Sequence, residues 1–247
     1  MKKIMFNDKY GLTDAVLGGR KTMTRRVIKG DYVKIVHLEH EGSFIGKTAN
    51  GDSVIPPQPA YNVGEEVAVA QSYSNLREVL AKRNFKRTDT LYDKFYRAMQ
   101  MGEAHDGMPG WSNKMFVRAD LMPHRIRITD IKVERLQDIS EEDCLREGIY
   151  KHNALPDALG EDRYKFISYA YDATQDKHRK RKWFPTPREA FAALIDKVVE
   201  FDHFRKSAGL KVCKRGTWNS NPWVFAYEFE LVNGNNASPT TTRPNIY

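Results

Sequence analysis

A cluster of cationic side chains near the start of the chain is the first feature that could do chemistry. Residues 18–26 read "GGRKTMTRR", and the five cations of this region are Arg20, Lys21, Arg25, Arg26 and Lys29. Such a cluster can hold a phosphate group through charge-assisted hydrogen bonds. The glycine spacing before Lys-Thr is not that of a P-loop, and no strand precedes it. The stretch therefore predicts an anion-binding loop, with an exposed basic turn as the alternative.

Glu147 is a second candidate, because its position is hard to explain by stability. The segment "ISEEDCLREGI" predicts a helix with Ser140 as N-cap and Gly148 as the stop. Glu147 falls in the last turn of that helix, where the helix dipole disfavours a negative charge, and at the edge of the apolar face. We interpret Glu147 as a candidate proton donor. An ordinary surface glutamate is the alternative.

Three other stretches contain residue types that are found at functional sites. The run "DKHRKRKWF", residues 176–184, combines basic residues with a Trp-Phe pair that could stack on bases, and a solvated insertion is its alternative. His37 and His40 of "HLEH" would point to opposite faces of a strand, so we predict no metal site and no cofactor. The segment "WNSNPW", residues 218–223, predicts a turn that anchors the final strand.

The elements that must position these residues are strands at both ends of the chain with helices between them. Period-two alternation predicts strands at 32–38, 65–73 and 223–231, and a long strand in "HRIRITDIKVERL" with a bulge near Thr129 and Asp130. Helices are predicted before Gly18, across 75–101, and after the N-cap Thr186. This order favours an α+β fold, with residues 1–232 as a single domain and 233–247 as a disordered tail.

Composition limits the classes of function. The chain has 247 residues, a formal net charge of +8 and only two cysteines, so an anionic partner such as RNA or a nucleotide is expected and a disulfide framework is not. No apolar run approaches the roughly 20 residues of a membrane span, and the first residues do not resemble a signal peptide. We therefore predict a cytoplasmic protein with no membrane partner. The sequence does not predict an oligomeric state.

Several segments, taken together and in order, resemble the ASCH family of PUA-like β-barrels. The segments are "LGGRKTMTRR" after a short helix, "VGEEVAVA", "IRITDIKVERLQDISEEDCLREGI" and "WNSNPWVFAYEFEL". The long form with "NPWVFAYEF" at its end looks like the ASCH proteins of bacteriophages and prophages. The resemblance implies a PUA-like barrel with flanking helices and with insertions at about 40–62, 75–115 and 150–185.

The resemblance implies two different functions. Small bacterial members with a similar signature are amidohydrolases that act on N4-acetylcytidine, and their catalytic residues fall here on Lys21, Thr24 and Glu147. Arg20, Arg25 and Arg26 would then bind the ligand. Other PUA-like domains bind RNA without catalysis, so a non-catalytic RNA-binding module is the alternative. A phage accessory factor that uses the fold as a scaffold is a third.

The implied catalytic set is chemically consistent. A threonine hydroxyl is a poor nucleophile until a base removes its proton, and a neutral lysine can be that base if its pKa falls. The neighbouring arginines would lower the pKa of Lys21 by like-charge repulsion. Thr24 would attack the amide carbonyl, and Glu147 would protonate the leaving amine. The inserted segments leave the identity of the substrate open.

Overall fold

The computed structural model describes residues 1–30, 32–38, 43–82, 90–151, 164–165, 184–206 and 217–232. Three predictions fall wholly or mostly on other residues: the disordered tail 233–247, all of the basic run 176–184 except Phe184, and most of the insertion at about 150–185. Cys213 and His40 also lie outside the described residues.

The described strands are two to five residues long, except for β7 with 11 residues and β10 with 10. They are β1 Lys3–Ile4, β2 Met23–Val27, β3 Lys34–Leu38, β4 Ser43–Lys47, β5 Ser53–Val54, β6 Glu66–Val69, β7 Arg125–Arg135, β8 Tyr150–Lys151, β9 Tyr164–Lys165 and β10 Trp223–Val232. The predicted strands at 32–38 and 223–231 are confirmed as β3 and β10. The long strand predicted after His124 is confirmed as β7.

The described helices lie between these strands. They are α1 Leu12–Leu17, α2 Tyr73–Lys82, α3 Thr90–Gln100, α4 Pro109–Ser112, α5 Glu141–Arg146, α6 Pro187–Lys206 and α7 Thr217–Ser220, with short 3-10 turns at Asp8–Tyr10, Lys114–Phe116, Ala119–Leu121 and Leu136–Asp138. The predicted caps of α5 and α6 are confirmed, because Ser140 Oγ accepts from the Asp143 amide and Thr186 Oγ1 accepts from the Glu189 amide.

Two strand and helix boundaries differ from the prediction. The strand predicted across 65–73 ends at Val69, and Tyr73 already begins α2. The hydroxyl of Ser72 accepts from the Asn75 amide at 3.3 Å, which caps the new helix. Helices α2 and α3 account for most of the helix predicted over 75–101, and α2 begins two residues earlier than predicted. The prediction for residues 83–89 lies outside the described residues.

The strands form three sheets. A mixed five-stranded sheet has the order β1-β6-β7-β10-β2, β3, β4 and β5 form a second sheet, and β8 pairs with β9. β1 runs parallel to β6, while β2 runs antiparallel to β10 with Thr24 opposite Tyr227. The α+β class is confirmed. Within the described residues no sheet closes into a barrel, so the PUA-like barrel stays a prediction.

The chain divides into two compact units. Unit 1 comprises Met1–Phe6, Gly64–Arg127 and Glu230–Tyr247, and unit 2 comprises Asn7–Val63 and Ile128–Phe229. The core of unit 1 is a cluster of alanine, aromatic and larger aliphatic side chains: Ala68, Ala70, Tyr73, Leu76, Leu80, Phe95, Ala98, Ala104, Val117, Leu121 and Met122. The prediction of a single domain over residues 1–232 stays a prediction.

Unit 2 contains all of the candidate site residues. Its strand β10 is buried on both faces over Val224–Tyr227. After Tyr227 the strand contains both buried and exposed residues. The turn before β10 anchors it as predicted: Asn221 adopts φ 43°, and its side-chain oxygen accepts from the Gln137 amide at 2.8 Å. The Leu136 amide donates to the Pro222 carbonyl at 2.9 Å.

None of the helices among the described residues is both long and apolar enough to cross a bilayer.

Candidate active site

The loop that carries Lys21 is held by the end of α1. The helix stops at Gly18, Gly19 follows with φ 72°, and the amides of Arg20 and Lys21 both donate to the Ala15 carbonyl at 2.9 Å. A positive φ favours glycine, because a Cβ would be strained there. The predicted end of this helix at the two glycines is therefore confirmed, and it fixes where the Lys21 backbone begins.

Glu147 lies one residue beyond the position predicted for it. Helix α5 ends at Arg146, and Glu147 is the C-cap, whose amide donates to the Asp143 carbonyl at 2.9 Å. Gly148 follows with φ 106°, which confirms it as the stop. A Cβ at Gly148 would lie 3.3 Å from Leu12 Cδ2 and 3.7 Å from Lys21 Cδ. Glycine thus allows the chain after Glu147 to approach α1 and the stem of Lys21 closely.

Lys21 and Glu147 form a direct buried ion pair. Lys21 Nζ lies 2.5 Å from Glu147 Oε2 and also donates to the Glu147 carbonyl oxygen at 2.8 Å. The two side chains are only 2% and 6% exposed. Two of the three predicted catalytic residues, Lys21 and Glu147, are therefore in contact, although they lie 126 positions apart in the sequence.

The charge state of Lys21 is set by opposing influences. Burial is the largest, and it lowers the pKa of Lys21 below its ordinary value of 10.5. The carboxylate of Glu147 acts in the opposite direction, while the charges of Arg26 and Arg25 add to the lowering. The predicted direction is confirmed, but the main cause is the loss of solvation rather than the neighbouring arginines.

Arg25 contacts three carboxylates with its guanidinium group. Its Nε donates to Glu134 Oε1 at 2.7 Å, one terminal nitrogen donates to Glu147 Oε1 at 3.2 Å, and the other donates to Asp143 Oδ2 at 3.0 Å. The Arg25 side chain is 1% exposed. These contacts direct the donors of Arg25 to the protein's own carboxylates. The role of Arg25 as a ligand-binding residue stays a prediction.

A second arginine extends the same network. Arg146 donates to the Thr22 hydroxyl at 3.2 Å, to Asp143 Oδ1 at 3.4 Å and to Glu228 Oε2 at 2.9 Å. The Thr22 amide in turn donates to the Arg146 carbonyl oxygen at 2.9 Å. Asp143 therefore accepts from Arg25 on one oxygen and from Arg146 on the other. The network ties the signature loop to α5 and to β10.

Thr24 is buried but is not joined to the ion pair. Successive side chains of a strand point to opposite faces, so Thr24 and Arg26 lie on the face of β2 away from Arg25. Thr24 is opposite Tyr227 on β10, whose hydroxyl accepts from the Ala60 amide at 2.9 Å. Among the hydrogen bonds of the described residues, none joins the Thr24 hydroxyl to Lys21 or Glu147.

The remaining candidates have separate surroundings. Arg20 is exposed and its guanidinium lies 5.6 Å from the centre of the Tyr150 ring, while Arg26 is exposed on β2.

His37 stacks on Phe44 with 4.6 Å between ring centres. Burial raises the pKa of the Cys144 thiol to about 12, in keeping with an unreactive cysteine. Within the described residues, no group of three or more His, Cys, Asp or Glu side chains is arranged to hold a metal ion.

The sequence interpretation missed the carboxylates that surround Arg25. Asp143 and Glu147 are four residues apart at α5, and like charges at this spacing destabilise a helix unless a cation lies between them. That spacing was a usable signal for a buried cation. Glu228 carried another signal, because it shares a strand face with Val224 and Ala226, which are apolar. Nothing in the local sequence identified Glu134 as a partner of Arg25.

No protein-family model, curated protein or solved structure matches this chain.

Proposed function

We propose that this chain is a PUA-like domain of ASCH type that recognises a nucleoside or nucleotide and hydrolyses an N4-acylated cytidine amide. The observation that carries this proposal is the contact of Lys21 Nζ with Glu147 Oε2 at 2.5 Å between buried side chains. A candidate base and a candidate acid held at this distance can exchange a proton directly. The sequence resemblance supplies the class of substrate.

The chemistry assigns one role to each of three residues. Neutral Lys21 removes the proton from the Thr24 hydroxyl, and Thr24 Oγ1 attacks the amide carbonyl carbon. Lys21 passes the proton to Glu147 Oε2, and Glu147 delivers it to the cytidine nitrogen as the carbon–nitrogen bond breaks. Water then hydrolyses the ester on Thr24, with Lys21 accepting one water proton and returning a proton to the threonine oxygen.

The burial of Lys21 supports its role as a base. A lysine works as a base only when it is neutral, and its lowered pKa increases the neutral fraction near pH 7. Thr24 must come within hydrogen-bond reach of Lys21 Nζ for the first step, a distance of about 3 Å. Among the hydrogen bonds of the described residues, none joins the Thr24 hydroxyl to Lys21 Nζ. Substrate binding next to Thr24 therefore has to bring the hydroxyl and the amine together.

Two exposed arginines are suited to hold the ligand. In the sequence Arg20 directly precedes Lys21 and Arg26 directly follows Arg25, and both carry charges that can bind a phosphate or a carbonyl oxygen. The same exposed cations, with the formal net charge of +8, favour a second candidate function: a non-catalytic RNA-binding module.

The test is hydrolysis of N4-acetylcytidine by the purified full-length protein, followed by chromatographic separation of cytidine. We expect cytidine release by the wild type and none by Lys21→Met, a change that keeps the volume of the stem. Lys47→Met is the matched control, since Lys47 is an exposed lysine of unit 2 that donates to Ser53, and this variant should retain full activity.

The outcomes separate the two functions. Turnover that survives in Lys21→Met contradicts the catalytic assignment. If the wild type turns over none of a panel of acylated nucleosides but binds RNA with an affinity that falls steeply with salt, the RNA-binding module is favoured.

A further inference from the structure

Arg25 lies on β2, between Thr24 and Arg26. Its guanidinium is buried and makes three carboxylate contacts at 2.7, 3.0 and 3.2 Å. These contacts join β2, which carries Arg25, to β7 through Glu134 and to the helix α5 through Asp143. An arginine that binds ligand needs donors that face the ligand, whereas these donors face the protein.

Glu147 is held between two cations with one oxygen on each. Its Oε1 accepts from Arg25 at 3.2 Å and its Oε2 accepts from Lys21 at 2.5 Å. A carboxylate bound on both oxygens cannot rotate freely, so the contact with Arg25 determines which oxygen faces Lys21. Asp143 is fixed in the same way, because its second oxygen accepts from Arg146.

We propose that Arg25 is a positioning residue that orients the Glu147 carboxylate against Lys21, and that it does not itself bind the ligand. The inference rests on the proposed function for its catalytic readout only. The three carboxylate contacts of a buried guanidinium carry it. A lysine at position 25 could not replace it, because one ammonium cannot make the same planar set of contacts.

The charged groups around Lys21 predict how the protonation of Lys21 changes when Arg25 is substituted. The charges that act on Lys21 are those of Glu147 at the end of α5 and of Arg26 and Arg25 on β2, while those that act on Arg25 include Glu147, Glu134 and Asp143. Loss of Arg25 removes one positive charge and leaves Glu147 with Lys21 as its cation. Both changes favour protonated Lys21, so the base should become neutral only at a higher pH.

Two variants test the proposal while controlling for stability. Arg25→Gln removes the buried cation that Glu134, Asp143 and Glu147 share, and is expected to be destabilised. The double variant Arg25→Gln with Glu134→Gln removes one of these carboxylates and should recover part of the lost stability. Arg127→Gln is the control, because Arg127 is an exposed arginine of unit 1 that also contacts two glutamates.

The kinetic readout is hydrolysis of N4-acetylcytidine as a function of pH. We expect the double variant to lose at least about 10-fold in kcat while KM changes by less than about 2-fold, as for a misplaced catalytic group. The rising limb of its pH profile should move to higher pH. A rise in KM with unchanged kcat overturns the proposal in favour of ligand binding. Recovery of wild-type kcat in the double variant overturns it in favour of a structural role alone.

A second readout does not depend on activity. NMR of isotope-labelled lysine side chains, assigned with Lys21→Met, follows the titration of Lys21 in the wild type and in the double variant. We expect the Lys21 titration to move to higher pH in the variant, and an unchanged titration overturns the proposal. If the wild type hydrolyses no acylated nucleoside, the proposed function fails, and this titration still decides whether Arg25 controls Lys21.

Discussion

Two groups of ion pairs in this protein use the same kinds of side chain in opposite surroundings. In unit 2, Arg25 contacts Glu134, Asp143 and Glu147 with a side chain that is 1% exposed. In unit 1, Arg127 contacts Glu66 at 2.9 Å and Glu230 at 3.3 Å, but its side chain is 45% exposed. The distances alone do not distinguish the two groups, so burial is what separates them.

The comparison shows that the loss of stability on removing one partner of an ion pair depends on burial. Exposed pairs lose little when one partner is removed, because water replaces it. A buried pair that loses one partner leaves the other charge without solvent and without a counter-ion. Apolar side chains of similar volume can often replace a buried ion pair without loss of stability. Stability alone therefore does not explain why this chain keeps buried lysine and arginine side chains next to carboxylates. This is the physical reason for assigning function to the buried group and not to the exposed one.

The largest effect is expected for Glu147→Gln. The substitution removes the carboxylate that contacts buried Lys21 and leaves Arg25 with only Glu134 and Asp143. Breaking a buried pair in this way costs about 3–5 kcal/mol. Urea denaturation at pH 7 measures the loss in the free energy of unfolding. Hydrolysis of N4-acetylcytidine should disappear in the same variant.

The matched control for this variant is Glu142→Gln. Glu142 lies on the same helix but is exposed, and its removal should leave both stability and turnover at the wild-type level. Equal denaturation midpoints for the two variants would contradict the view that the contacts of Glu147 differ in kind from those of a surface carboxylate.

An intermediate effect is expected for Glu228, which is partly exposed. The hydrogen bond from Arg146 lowers the pKa of Glu228 to about 2, from an ordinary value of 4.5, despite some burial. A carboxylate with a lowered pKa in the folded state contributes stability above pH 4.5, and this contribution is lost as the pH falls toward 2.

Glu228→Gln should therefore be destabilised at pH 7 and should approach the wild type between pH 4.5 and 2. Denaturation curves for both proteins across this range provide the measurement. A constant difference in the free energy of unfolding over the whole range would show that the carboxylate charge is not responsible.

The smallest effect is expected for Glu230→Gln in the exposed group. Glu230 is 59% exposed, and Arg127 keeps its shorter contact with Glu66 when this residue changes. The denaturation midpoint should equal that of the wild type within experimental error, at low and at high salt. A large loss of stability here would remove the distinction between the two groups of ion pairs.

Much of the fold was predictable because its signals are local. The caps at Ser140 and Thr186, the stop at Gly148 and the alternation in β10 each depend on a few adjacent residues. The end of β6 was predicted wrongly, because the alternating pattern continues past Val69 while Ser72 already caps the next helix. Two local signals competed there, and the cap prevailed.

The site was predictable only in part. The resemblance supplied Lys21 and Glu147, and these two residues are in contact. Thr24 comes from the same motif, yet strand alternation places it on the face of β2 away from Arg25. The partners of Arg25 were missed because a long-range ion pair has no sequence period, and Glu134 lies on another strand.

The separation of Lys21 and Glu147 along the chain has a consequence for biosynthesis. The two residues are 126 positions apart, and β2 pairs with β10, close to the end of the described chain. The ribosome releases the signature loop long before it releases either partner. The nascent loop therefore keeps hydrated, fully charged lysine and arginine side chains, and its lysine acquires the properties of a base only after Glu147 and β10 have also left the ribosome.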